Sequence, residues 1–240
     1  MPLPRRIARR VHRLFGSELD HVIAPEIKDD LLYAAIVRVA STLGVRQMLE
    51  IGSSSGDGST EAFVTGALAN PDRPMLHCIE VSASRHAALV KRHAGQSFVH
   101  CYHTSSVGLG GFASAADVEQ FYRGVGSGSW RVSLKEILAW LEQDVRYASS
   151  LSVAKGGIRM IKDQHGIDHF DAVLIDGSEF TGTAELAEVY GSRFLLLDDI
   201  CTFKNHANFH ALCSDDAYRV LESGDSPRNG YALFERVASL

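Results

Sequence analysis

Four short apolar runs, each meeting a glycine or an acid at its far end, constrain this chain most. They are Gln47–Ile51, followed by Gly52; Met75–Val81, with Glu80 near its end; Phe170–Asp176; and Phe194–Leu197, which runs into Asp198-Asp199. Runs of this length and content read as buried strands. Ser97–His103 reads as a further strand. Helical periodicity fills the gaps. From Glu26 to Leu43 the residues Ile27, Leu31, Leu32, Ala35, Ile36, Val39 and Leu43 fall on one stripe, and Gly44 ends it. Helices are also predicted over Ser59–Leu68, Ser84–His93, Leu134–Tyr147, Ser152–His165 and Ala184–Val189. Strands alternating with helices predict an α/β fold with a mostly parallel sheet covered on both faces. Tyr218–Leu221 and Tyr231–Val237 flank a polar loop and predict a closing antiparallel hairpin, giving seven strands.

With 240 residues, 45% hydrophobic and 22% charged, the chain has the mass for one domain and too much apolar content for disorder. No apolar run approaches the roughly 18 residues of a membrane span. The net charge is −5, but Arg5, Arg6, Arg9, Arg10 and Arg13 crowd residues 1–25. Setting those five aside leaves 19 bases against 29 acids. Such an acidic body makes nucleic acid a poor partner. The basic segment reads either as a solvated leader or as a peripheral contact with an anionic membrane. Cys78, Cys101, Cys201 and Cys213 lack CxxC spacing and read as reduced thiols of a cytoplasmic protein.

The organisation is then a basic segment over 1–25 and one α/β domain over 26–240, with an insert at about 107–150. Within it, Thr104–Ser133 has no clear period, and Val107–Trp130 reads as a substrate-shaping lid or an idle elaboration. The helix over Glu26–Leu43 is a candidate homodimer surface or a cover for the site.

The first chemical motif follows strand one. In Glu50-Ile51-Gly52-Ser53-Ser54-Ser55-Gly56-Asp57-Gly58-Ser59, the glycines permit a tight turn, and free N–H groups can hold a carboxylate or phosphate. A dinucleotide loop would carry glycine where Ser54 stands, and Glu50 would oppose a pyrophosphate. An acid there suits an ammonium or sulfonium ligand. Glu80, at the end of strand two, can accept both hydroxyls of a ribose. Glu50, Gly52, Ser54, Gly56, Ser59, Glu80 and Asp176 are therefore candidate contacts to S-adenosylmethionine. On these residues the chain resembles the class I S-adenosylmethionine-dependent methyltransferases, whose fold is Rossmann-like. The competing reading is an NAD-dependent oxidoreductase.

The second motif is acidic. Asp176 ends strand four, and Asp198-Asp199 end strand five. Neighbouring parallel strands bring these tips together, where unpaired carboxylates would repel one another. Mg²⁺ would resolve the conflict, as would a helix cap for one acid and Lys204 or Arg193 for the other. This pattern resembles the metal-dependent O-methyltransferases of the catechol and caffeoyl-CoA type and those acting on sugars. The resemblance implies Mg²⁺ on Asp176, Asp198 and Asp199, and a small-molecule or saccharide hydroxyl as acceptor. The catechol type has a catalytic lysine where Glu179 stands here. Glu179, Lys204 and His206 are the candidates for proton transfer, and Phe180, Phe203 and Trp130 for a pocket wall. Arg228-Asn229-Gly230 reads as a turn. Asp176-Gly177-Ser178-Glu179 lacks the Asp/Asn-Pro-Pro-aromatic pattern of base-methylating enzymes, and a non-enzymatic binding module is the remaining alternative.

Overall fold

The structure, a computed structural model, describes residues 20–22, 24–124, 132–151, 156–226 and 228–237. The basic run Arg5–Arg13 and Trp130 lie outside the described residues. Seven strands form one sheet: β1 (Gln47–Ile51), β2 (Met75–Glu80), β3 (Val99–His103), β4 (Ala172–Ile175), β5 (Phe194–Asp198), β6 (Tyr218–Gly224) and β7 (Tyr231–Arg236). Their order is β3-β2-β1-β4-β5-β7-β6. The first five pair in parallel; β7 runs antiparallel to β5 and to β6. The chain leaves β1 toward one edge and returns through β4 to the other. Their carboxyl ends therefore flank the point where strand order reverses, the usual ligand crevice of an open α/β sheet.

Among the described residues, eight α-helices accompany the sheet: α1 (Leu31–Ala40), α2 (Ser59–Ala69), α3 (Ala83–His93), α4 (Ala115–Gly124), α5 (Leu134–Ser149), α6 (Gly157–His165), α7 (Gly182–Val189) and α8 (His206–Cys213). Alternation along the strands splits the core into two layers. Met48, Leu174 and Leu196 join Leu32, Ile36 and Phe63 on the face covered by α1 and α2. Leu49, Val173, Ile175, Leu195 and Leu197 join Ile158, Ile161 and Leu212 on the other. Burying each such side chain stabilises the fold by about 1.5–3 kcal/mol.

Local signals set the helix starts. Asp30 accepts the Tyr33 N–H ahead of α1, and Ser82 that of Arg85 ahead of α3. Ser133 and Glu136 form a reciprocal capping box at α5. The stretch without clear period holds α4, which packs on α5 through Val118, Tyr122, Ile137 and Leu141. Helices α4 and α5 thus share a small apolar cluster with Phe180 and Phe203. Helix α1 is shorter than its apolar stripe: residues 24–27 ahead of it are non-helical and line the cavity at the carboxyl ends of the strands.

Candidate active site

A cavity of about 340 Å³ opens at the switch point. Its floor is the loop after β1, with Gly52, Ser53, Ser54, Gly58 and Ser59. Glu80 and Arg85 stand at one end; Asp176, Asp198, Asp199 and Lys204 stand at the other. Residues 24–27 and the insert, through Phe112, Asp144 and Tyr147, form the remaining walls.

The β1 loop is held in a conformation that prepares Glu80. Gly52 and Ser54 both have positive φ, at 89° and 49°. This turn lets the Ser54 N–H donate to Glu80 Oε2 at 2.7 Å, while the Ser82 N–H donates to Oε1 at 2.7 Å. Each carboxylate oxygen accepts one N–H and keeps a second lone-pair site for a hydroxyl. Burial lifts the Glu80 carboxyl above its ordinary value, against the pull of Ser82, Arg85 and Ser54.

Glu50 and Gly56, expected as ligand contacts, do not line the cavity. Glu50 is fully buried beneath the loop, where Oε2 accepts the Thr60 hydroxyl at 2.7 Å. Its Oε1 has no hydrogen-bond partner among the described residues. Gly56 turns its α-carbon to Leu89 and His93, and its carbonyl lies 2.8 Å from His93 Nε2. Gly52, Ser54, Ser59, Glu80 and Asp176 do line it.

The acidic corner gathers as the strand tips require. Asp176, Asp198 and Asp199 each bring an oxygen within 4.8 Å of the others. A cation is already there. Lys204 Nζ donates to Asp176 Oδ1 at 2.7 Å and to Asp199 Oδ2 at 2.8 Å. Arg228 donates to Asp198 Oδ1 at 2.6 Å and also pairs with Asp30, while Asn229 donates to Asp199 Oδ1 at 2.7 Å. Burial alone would lower the Lys204 pKa, but Asp176, Asp199 and Asp198 together hold it well above the ordinary value. Burial pushes Asp176 up to about 7, opposed by Lys204 and reinforced by Asp199.

A divalent ion needs several carboxylate oxygens free to turn on one point. Four of the six oxygens here accept from Lys204, Arg228 and Asn229. As they stand, these residues do not fit a metal ion, because an ammonium lies between the would-be ligands.

Of the three candidates for proton transfer, Lys204 alone lines the cavity. Glu179 is a clasp: it accepts from Tyr122 at 3.1 Å, Thr202 at 3.1 Å and the Phe203 N–H at 3.0 Å, tying the insert to the loop after β5. His206 opens α8 and meets Phe121 and His210 in edge-to-face contacts. Phe180 and Phe203 pack in the cluster of α4 and α5 instead of on the cavity wall. Asp144, Tyr147, Arg228 and Asn229 were not expected at the site. Helical periodicity marks Asp144 and Tyr147 only as members of α5, and nothing local sets Arg228 apart from other turn residues.

No family model matches this sequence, and no curated protein matches it. Solved structures do, at low identity. An SAH-bound methyltransferase from Podospora anserina is 13% identical with a TM-score of 0.51, over 99% of this chain and 98% of that one. A methyltransferase from Geobacter sulfurreducens is 11% identical at 0.51, over 99% and 100%. An O-methyltransferase from Bacillus cereus in complex with SAH is 10% identical at 0.50, over 96% and 87%. The chain has the class I methyltransferase fold.

Proposed function

We propose that this protein transfers the methyl group of S-adenosylmethionine to a hydroxyl of a small molecule or saccharide. The observation that carries the reading is Glu80. It is a buried carboxylate with one acceptor site left on each oxygen, facing a cavity whose opposite end is acidic. The loop after β1 would receive the amino-acid end of the donor, with Glu80 on the ribose. The unpartnered Glu50 Oε1 beneath the loop suits an ammonium reached through water. That structures of the same fold hold SAH supports the donor.

The chemistry is an in-line displacement. The acceptor oxygen attacks the methyl carbon, a C–O bond forms, and the S–C bond breaks with its electron pair going to sulfur. The chain must hold that oxygen about 3 Å from the methyl and in line with the breaking bond. The walls from Phe112, Asp144 and Tyr147 would position the acceptor, and Asp176 would accept its proton. A magnesium-assisted version would need Lys204 displaced from Asp176 and Asp199, so no step is assigned to a metal. The acidic body supports a small acceptor over nucleic acid. The same reading puts the protein in the cytoplasm, supported by four free cysteines and by the lack of a membrane-spanning helix among the described residues.

Thermal unfolding with S-adenosylhomocysteine and with NADH tests the donor. S-adenosylhomocysteine at 100 times its Kd adds about 2.7 kcal/mol of stability. That gain is expected in the native protein and absent in Glu80→Ala. Stabilisation by NADH alone would select the oxidoreductase reading.

A further inference from the structure

We propose that Lys204 is the cation of this active site, standing where a divalent metal would otherwise be needed, and that its ammonium holds the acceptor oxygen. The proposal rests on the methyl-transfer reading for its chemistry but not for its test. Lys204 is nearly buried at the cavity wall, with a side-chain exposure of 8%. Two of its three N–H donors go to Asp176 and Asp199, which aim the nitrogen. An ammonium has a third. Among the described residues nothing accepts it, and it faces an oxygen entering the cavity.

The surroundings are built around this residue. Asn229 restrains Asp199 from its other oxygen, and Arg228 neutralises Asp198, so Lys204 balances the Asp176–Asp199 pair. The backbone carbonyl of Lys204 packs closely on α7: a Cβ on Gly182, the first residue of that helix, would lie 1.9 Å from it.

A positive charge at this point does two things for the transfer. It stabilises the negative charge that grows on the acceptor oxygen as its proton leaves to a carboxylate. It also fixes that oxygen in line with the methyl. The methyl ends on oxygen, the S–C electron pair on sulfur and the proton on Asp176; no other reactant is required.

Mn²⁺, followed by electron paramagnetic resonance, tests this without any methyl donor. Native protein is expected to leave Mn²⁺ free at metal concentrations up to about 1 mM, a Kd weaker than about −4 kcal/mol of binding. Lys204→Met is expected to take up one Mn²⁺ per chain on Asp176, Asp198 and Asp199, and Lys204→Arg none. Uptake of one Mn²⁺ by native protein, lost in Asp199→Asn, would overturn the proposal; so would a folded Lys204→Met that takes up none. If Lys204→Met does not fold, the native and Lys204→Arg titrations still decide. S-adenosylhomocysteine should stabilise Lys204→Arg as it does native protein. Failure of that ligand to bind would sink the donor reading and leave the Mn²⁺ result standing.

Discussion

A Cβ on Gly52 would sit 2.0 Å from the carbonyl oxygen of Asp176. The β1 loop and the β4 tip are thus in backbone contact beneath the cavity, and the oxygen cannot swing aside. Gly52 also has φ of 89°. Gly52→Ala combines a strained backbone with a steric collision, each about 1–3 kcal/mol. The variant is expected to unfold at markedly lower urea and to lose stabilisation by S-adenosylhomocysteine. A midpoint equal to that of native protein, with the ligand effect intact, would show that the contact is dispensable.

How far the residues foretell this arrangement depends on the range of the forces involved. Strand and helix periodicity is local, so β1 and β2 fall at the expected residues, to within one at the end of β2. The convergence of Asp176 with Asp198 and Asp199 follows from parallel neighbours. Helix α4 escaped because only Val118 and Tyr122 are buried along it and glycine-rich sequence precedes it. Glu179 shows the limit most clearly. Its distance along the chain from Asp176 suggested chemistry, yet its partners are Tyr122, Thr202 and Phe203, supplied by tertiary packing. Arg228 lies 30 residues beyond Asp198, and only the β5–β7 pairing brings it back to the acids.

Arg228 is a turn residue with φ of 62° whose side chain reaches both Asp198 and Asp30. Removing one partner of a buried ion pair typically costs about 3–5 kcal/mol, since the other charge stays desolvated. Arg228→Met is expected to lose stability on that scale. Asp198→Asn in the same chain removes one stranded charge, so the double variant should be more stable than the sum of its singles by about 1–3 kcal/mol. Chemical denaturation of the four proteins measures the coupling. Strict additivity would mean that Arg228 contributes through packing alone.

Asp144 lines the cavity from α5 and accepts the Ser178 hydroxyl at 2.6 Å. Burial raises its carboxyl to about 6, against Ser178, Arg85 and Lys204. A folded value above the unfolded one means that the folded state holds the proton longer. Stability from this group is complete below about pH 4 and is lost as pH rises to about 6. Asn keeps an acceptor for Ser178 without the buried charge. Asp144→Asn is expected to be more stable than native protein by about 2–3 kcal/mol at pH 7 and equal to it at pH 4. Equal stability at both values would mean that water reaches the carboxylate.

The opposite sign belongs to His77, far from the cavity near the amino-terminal ends of β1–β3. Its ring packs in a cluster with His165 of α6 and His100 of β3, with nitrogens 3.1 Å from Tyr102 Oη and 3.1 Å from Gln47 Oε1. Burial first, then His165 and His100, lowers it to about 4. A folded value below the unfolded 6.5 makes the unfolded chain bind the proton first. Stability is complete above about pH 6.5 and falls toward pH 4, by at most about 1.4 kcal/mol per pH unit. The protonation of His77 and that of Asp144 therefore oppose each other between pH 4 and 6. Replacing Asp144 by Asn should steepen the loss of stability on acidification, and adding His77→Gln should flatten it. Urea midpoints at pH 4.5, 5.5 and 6.5 test the pair. An acid slope unchanged by His77→Gln would assign the loss to other groups, His100 first among them, since burial and His165 lower it in the same direction.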